Sequence, residues 1–150
     1  MFEWFGMVSY CPHTKVADFA RHLKDGRLMG SRCAACGHTA FPPRADCAAC
    51  RGGDFTFTEW SGRGTVVTYT RIAAAPAGFE DHVPFTVGVV DLEEGGRLLA
   101  WFGASIPAGE IAIGRPVQVV PRIIGESERI KVDYTLEAPG TTWAKTEAKA

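Results

Sequence analysis

Apolar residues alternate with polar ones along much of the chain's second half, whereas a helical period occurs once, near the N-terminus. Val16, Phe19, Ala20 and Leu23 recur three and four residues apart, with Asp18, Arg21 and Lys24 between them. That spacing predicts an amphipathic helix over residues 16–28. Thr14 suits its N-cap and Gly26 its stop. The apolar stripe reads as a docking face, either for the chain's own ribbon or for another subunit. Residues 56–137 carry the signature of strands instead. Residues 65–71 are β-branched and aromatic, residues 85–92 follow, and Glu93-Glu94-Gly95-Gly96 forms a hairpin turn into residues 97–102. Residues 116–120 and 129–134 complete the set. In the last, Ile130, Val132 and Tyr134 share one face and Arg129, Lys131 and Asp133 the other. Five strands, with a long loop after the first and a break after the third, have the rhythm of an OB-type barrel.

Between helix and strands lie Cys33-Ala-Ala-Cys36 and Cys47-Ala-Ala-Cys50, two C-x-x-C pairs ten residues apart. Four thiolates at this spacing are the soft donor set of a tetrahedral structural Zn²⁺. The alternative is two disulfides or redox pairs, which fits poorly with an odd total of five cysteines. Four thiolates close the coordination sphere, so the metal is expected to hold structure and perform no chemistry. Arg32, Arg44, Arg51 and His38 surround the site. They either offset the negative charge of the metal centre or meet a phosphate-bearing ligand. Phe41-Pro42-Pro43 is expected to brace the two knuckles.

The expected organisation is an extension and docking helix over 1–28, a zinc ribbon over 29–55, an OB-fold domain over 56–137 and a loose tail over 138–150. The whole is a mainly β fold. A chain of 150 residues with a formal net charge of −1 has room for one ordinary core plus a metal-stapled module. No run of eighteen apolar residues suggests a membrane span. Glu3 sits where a secretory leader would be positive, so the expected location is cytoplasmic. Phe2, Trp4 and Phe5 near the N-terminus are either folded back or buried against a partner.

No nucleophile elbow, phosphate loop or H-E-x-x-H helix is present. The four histidines, His13, His22, His38 and His82, have no neighbouring carboxylate and nucleophile that would suggest a triad. No catalytic residue is assigned. Nucleic-acid binding is the minor alternative, because zinc ribbons and OB folds both support it. Residues 55–138 hold eleven acidic and seven basic residues, which opposes it. Residues 73–84 form the best contact loop. Phe79 either closes over an apolar acyl group or tucks into the barrel mouth.

Together, Asp25-Gly26-Arg27-Leu28, the four cysteines, Trp60-Ser61-Gly62-Arg63-Gly64-Thr65-Val66, Pro84-Phe85-Thr86-Val87-Gly88 and Ile113-Gly114-Arg115-Pro116-Val117 resemble the acyl-CoA-associated zinc-ribbon and OB-fold family known as DUF35. The likeness spans residues 16–137. It implies a rubredoxin-like ribbon and a role as small subunit beside thiolases, aldolases or hydroxymethylglutaryl-CoA synthases. The ribbon and helix would dock on the large enzyme, and the OB domain would help frame the acyl-CoA site, with two copies around an enzyme dimer. The implied reaction is CoA-dependent thiolytic cleavage of a β-oxo acyl-CoA, including aromatic ones. The alternative is a scaffold bridging a thiolase and a synthase or aldolase. For CoA phosphates, the nearest cations to the ribbon–barrel joint are Arg44, Arg51, Arg63 and Arg71, with Phe79 for the acyl group.

Overall fold

A computed structural model of the chain describes residues 1–6, 11–124 and 130–142. The helix, α1 (Asp18–Lys24), is shorter than its periodicity suggests. At its start the Ala17 amide bonds to the Thr14 carbonyl, and the Thr14 hydroxyl meets the Val16 amide at 3.4 Å. Thr14 therefore caps a preceding turn, and α1 has Ala17 at its N-cap, without a side-chain cap. At its end Gly26 takes φ +76° and the Arg27 amide returns to the His22 carbonyl. That left-handed residue stops the helix where expected.

The ribbon is a three-stranded antiparallel sheet in the order β2-β1-β3, with β1 Met29–Cys33, β2 Thr39–Ala40 and β3 Phe55–Glu59. β3 pairs with β1 along its whole length, from Cys33 opposite Phe55 to Met29 opposite Glu59. The ribbon sheet thus runs four residues past position 55. Five further strands close a barrel in the order β4-β5-β6-β8-β7. They are β4 Arg63–Ile72, β5 Phe85–Leu92, β6 Arg97–Phe102, β7 Pro116–Ile124 and β8 Lys131–Glu137. β5 and β6 match the sequence reading residue for residue. β7 continues to Ile124, and β8 starts at Lys131 and continues to Glu137, carrying the alternation on to Leu136. Val132, Tyr134 and Leu136 are buried, as that alternation requires. Arg129 lies outside the described residues.

One core joins the parts. Phe19, Ala20 and Leu23 are at most 1% exposed and lie in one cluster with Trp60, Val66, Val90, Leu98 and Leu136. Burying a side chain such as Phe19 or Leu23 stabilises by about 1.5–3 kcal/mol. The helix stripe is therefore consumed by the chain's own barrel. Phe41, from the segment between the knuckles, packs 5.9 Å from Phe19, 5.6 Å from Trp60 and 5.5 Å from Tyr134. It pins the ribbon to the barrel. The N-terminal aromatics fold back onto the same cluster. The Phe5 ring lies 5.4 Å from Phe19, Lys24 sits over the Trp4 ring, and the Gly6 amide bonds to the Val132 carbonyl. No helix among the described residues is long and apolar enough to cross a membrane.

Candidate metal centre and loop site

The two knuckles repeat one local geometry. The Gly37 amide bonds to the Cys33 carbonyl and the Arg51 amide to the Cys47 carbonyl, each closing a tight turn. The residue after each second cysteine must be left-handed: Gly37 has φ +74° and Arg51 φ +64°. Glycine takes this conformation freely, whereas arginine is strained there. The turns aim all four Sγ atoms at one point, within 4.8 Å of one another. Cys33 and Cys50 sulfurs are 3.6 Å apart, as are those of Cys36 and Cys47. Disulfide sulfurs would be about 2.0 Å apart, so these are not disulfides. A tetrahedron with Zn–S of about 2.3 Å has edges of about 3.8 Å, so the cluster fits zinc.

The backbone supports charged sulfurs. Amides of Ala49 and Gly52 donate to Cys47 and Cys50 at 3.4 Å each. Backbone donors from Cys36 and Ala35 hold the Cys33 thiol below its ordinary value. Those from Cys50 and Ala49 lower Cys47 to about 6. At Cys36 the His38 amide favours the thiolate, but the crowded Cys50 and Cys47 sulfurs push the thiol upward. Four thiolates at this spacing need a cation between them. Zinc bound here would tie the ribbon's two turns together.

The four arginines lie in separate places. Arg44 and Arg51 are exposed on the ribbon. Arg44 presents its backbone amide to the Ser31 hydroxyl at 2.9 Å. Arg63 pairs with Glu93 at 2.7 Å. Arg63 and Arg71 occupy opposite ends of the ten-residue β4, roughly 25 Å apart at strand rise. No single phosphate meets both.

Residues 73–84 fold back across the outside of the barrel. A short 3-10 turn, Glu80–His82, carries the Phe79 and His82 rings to 6.0 and 5.8 Å from Trp101. Phe85 stacks on Trp101 at 4.1 Å with 17° between planes. Phe79 is thus half-buried on the barrel's outer surface. The sequence reads Phe85 and Trp101 as barrel packing and does not by itself link them to Phe79. Their signal was nonetheless present: residues 85–90 and 98–102 are apolar on both faces of their strands.

A second missed group is polar. Glu137 is fully buried and accepts from the Arg122 guanidinium, the Ser105 hydroxyl, the Ser105 amide at 3.1 Å and the Thr135 hydroxyl at 2.7 Å. Burial raises its carboxyl pKa, but these donors outweigh it and hold the group below the usual value of 4.5. The network locks the connector after β6 onto β8.

Two family descriptions match consecutive parts of the chain. Residues 20–56 match the rubredoxin-like zinc ribbon domain of ChsH2, and residues 57–122 match its C-terminal OB-fold domain. A DUF35 domain-containing scaffold protein of Methanocaldococcus jannaschii is 37% identical over 108 residues, 71% of this chain and 76% of that protein. The chain belongs to the DUF35 family. The benzoylsuccinyl-CoA thiolase subunit BbsA of Thauera aromatica is 34% identical over 79 residues, 51% of this chain and 54% of BbsA. Among solved structures, the Ltp2-ChsH2(DUF35) aldolase contains a chain that aligns with a TM-score of 0.65 and 26% identity. The alignment covers 85% of this DUF35 chain and 98% of that one. Ribbon and OB barrel, read first from the cysteines and the strand rhythm, are thus the family's own two domains.

Proposed function

We propose that this DUF35 protein is a non-catalytic accessory subunit of a thiolase-type acyl-CoA enzyme. It docks on the large subunit and helps frame the acyl-CoA site, where a β-oxo acyl-CoA is cleaved by CoA. The observation that carries the reading is the aromatic loop on the barrel. Phe79 and His82 gather on Trp101 at the surface, where an apolar acyl group could be received between two proteins. A relative 34% identical over 79 residues is named as a thiolase subunit, and another forms part of an aldolase assembly.

The distribution of chemistry supports the division of labour. The four sulfurs leave no open position for a reacting group once zinc is bound. His22 packs its ring 5.0 Å from Phe57, and burial together with Arg27 and Arg21 disfavours its charged form. His82 leans on Trp101. The CoA phosphates would draw on Arg44, Arg51, Arg63 or Arg71, and the separation of the last two means that different phosphates, or the partner's own cations, complete the set. The reading places one copy of this chain beside each protomer of a dimeric enzyme in the cytoplasm.

Tagged protein purified from its native cell extract tests this. The expected eluate contains a thiolase-like large subunit and cleaves acyl-CoA only with CoA and both chains present. A zinc-bearing chain with no acyl-CoA enzyme would overturn the proposal. The second reading, a scaffold joining two enzymes, is favoured by the Methanocaldococcus relative's designation. It predicts that the large enzyme is active alone and that two different enzymes co-elute.

A further inference from the structure

The outer face of β5 and β6 is apolar from Val87 to Trp101, with Val87, Val89 and Trp101 half-buried and Leu99 exposed. Register places Val87 opposite Trp101 and Val89 opposite Leu99. The alternate positions, Val90, Leu98 and Ala100, fill the barrel interior and are at most 6% exposed. Leu99 therefore points outward, and 63% of it is exposed. On the next strand Thr68 lies opposite Val89 and Thr70 opposite Val87. Beyond it, the Gly114 amide and Arg115 carbonyl both bond to Val66, bringing the connector before β7 alongside β4. That connector presents Ile113, 70% exposed. A band without a charged side chain thus crosses from Ile113 over Thr68 and Val89 to Leu99, and meets the aromatic loop at Trp101.

The sequence of these strands is that of elements covered on both sides. Phe85-Thr86-Val87-Gly88-Val89-Val90 and Leu98-Leu99-Ala100-Trp101-Phe102 lack the polar alternation of a half-solvated strand. β8 shows that alternation clearly, as Lys131, Asp133 and Thr135 interleave with buried Val132, Tyr134 and Leu136. Among the described residues, the Phe79 loop covers the Trp101 end of the outer face of β5 and β6. On one border, Arg97 grips Asp91 through two bonds of 2.6 and 2.9 Å. The helix stripe cannot serve instead, because the barrel already buries it.

We infer that this band is the surface on which the large acyl-CoA enzyme subunit docks, apolar side chains against apolar side chains. The inference rests on the function proposed above and moves the contact from the helix to the barrel's outer face. An uncharged band, bordered by the Arg97–Asp91 pair on one side and by the acidic Glu80 and Asp81 of the loop on the other, suits a protein surface, and suits neither nucleic acid nor anionic lipid. Its continuity with the Phe79 loop sets the docked enzyme beside the position proposed for the acyl group.

The test uses the acyl-CoA enzyme that the wild-type chain brings down from its native extract, purified and identified by mass spectrometry. Wild type, Leu99→Glu, Ile113→Glu and the ribbon variant Thr56→Glu are each mixed with it, and affinity is measured at low and high salt. Zinc content and melting temperature confirm that each variant is folded, since Leu99, Ile113 and Thr56 are exposed. Leu99→Glu and Ile113→Glu are expected to weaken binding at least tenfold, with Thr56→Glu near wild type and little effect of salt. Unchanged binding by both band variants overturns the docking surface while the accessory-subunit reading stands. Loss confined to Thr56→Glu assigns docking to the ribbon and also overturns it. If wild type recovers no acyl-CoA enzyme, the functional reading itself fails, and the inference with it. A wild-type dimer that Leu99→Glu makes monomeric, with enzyme binding intact, identifies a second copy as the occupant and overturns the inference.

Discussion

Glu137 and Arg122 form an ion pair inside the protein, the carboxylate fully buried and the guanidinium mostly so. Gly103 leaves the room for it: a Cβ there would lie 1.7 Å from Glu137 Oε1. Arg122 also donates through Nε to the Thr135 hydroxyl at 3.0 Å, so the pair is fixed in orientation. Removing one partner of such a pair strands a buried charge, at a cost of about 3–5 kcal/mol. Arg122→Met is expected to destabilise by that order in urea unfolding at pH 7. The sign with pH follows from the lowered carboxyl. The bound network contributes stability above the ordinary value of 4.5 and loses it as pH falls through the lower folded value. Wild type and Arg122→Met should therefore converge at acid pH.

Asp133 behaves in the opposite sense. Burial raises its carboxyl above the usual 3.8, and the Tyr134 amide, donating at 2.8 Å, offsets that only in part. The ionised side chain therefore weakens the fold at neutral pH. Asp133→Asn keeps an acceptor for the Tyr134 amide and removes the charge. A higher melting temperature is expected at pH 7, with the gain vanishing below about pH 4, where the free carboxyl is protonated too.

Zinc is expected at one per chain and is lost to chelator increasingly as pH falls, because protons compete with the metal for the four thiolates. Cys36→Ser should abolish stoichiometric zinc, read by atomic absorption. Hydrogen exchange should then quicken at the ribbon amides around Cys33 and Cys47. β5 and β6 should remain protected, because their core of Val90, Leu98 and Ala100 holds no part of the metal site.

Arg51 keeps a left-handed backbone at the place where the first knuckle uses Gly37. Arg51→Gly should relieve about 1 kcal/mol of strain, offset in part by the freer unfolded chain. The expected outcome is unchanged zinc content and a melting temperature equal to or above wild type. A fall in CoA affinity of the assembled enzyme would then belong to the lost guanidinium and not to a damaged knuckle.

Phe79→Ala should leave folding nearly intact, because the ring packs on surface aromatics outside the core cluster. In the assembled enzyme it should raise KM for acyl-CoA several-fold with kcat little changed, the pattern of lost substrate binding. A variant with both constants unaltered would remove Phe79 from the acyl site.

Local sequence reading reached as far as local physics does. Each C-x-x-C pair makes its own turn within five residues, so the cysteine spacing alone determined the metal site. Residues 85–92 and 97–102 flank a glycine turn and pair directly, so their bounds were legible to the residue. Periodicity also determined that one face of the helix is apolar. Only the tertiary structure decided what that face meets, because Phe19 and Leu23 find Phe41, Tyr134 and Trp60 from distant parts of the chain. The same holds for Arg63, taken as a cation for phosphate and found paired with Glu93 thirty residues away. Ser105 and Glu137 are 32 residues apart, and Phe79 and Trp101 come from separate elements. Such contacts depend on barrel closure and register, which bring together side chains that carry no mark of one another in the chain. Period and spacing specified the parts and the metal site, whereas closure of the sheet decided which charges pair and which apolar face is left for a partner.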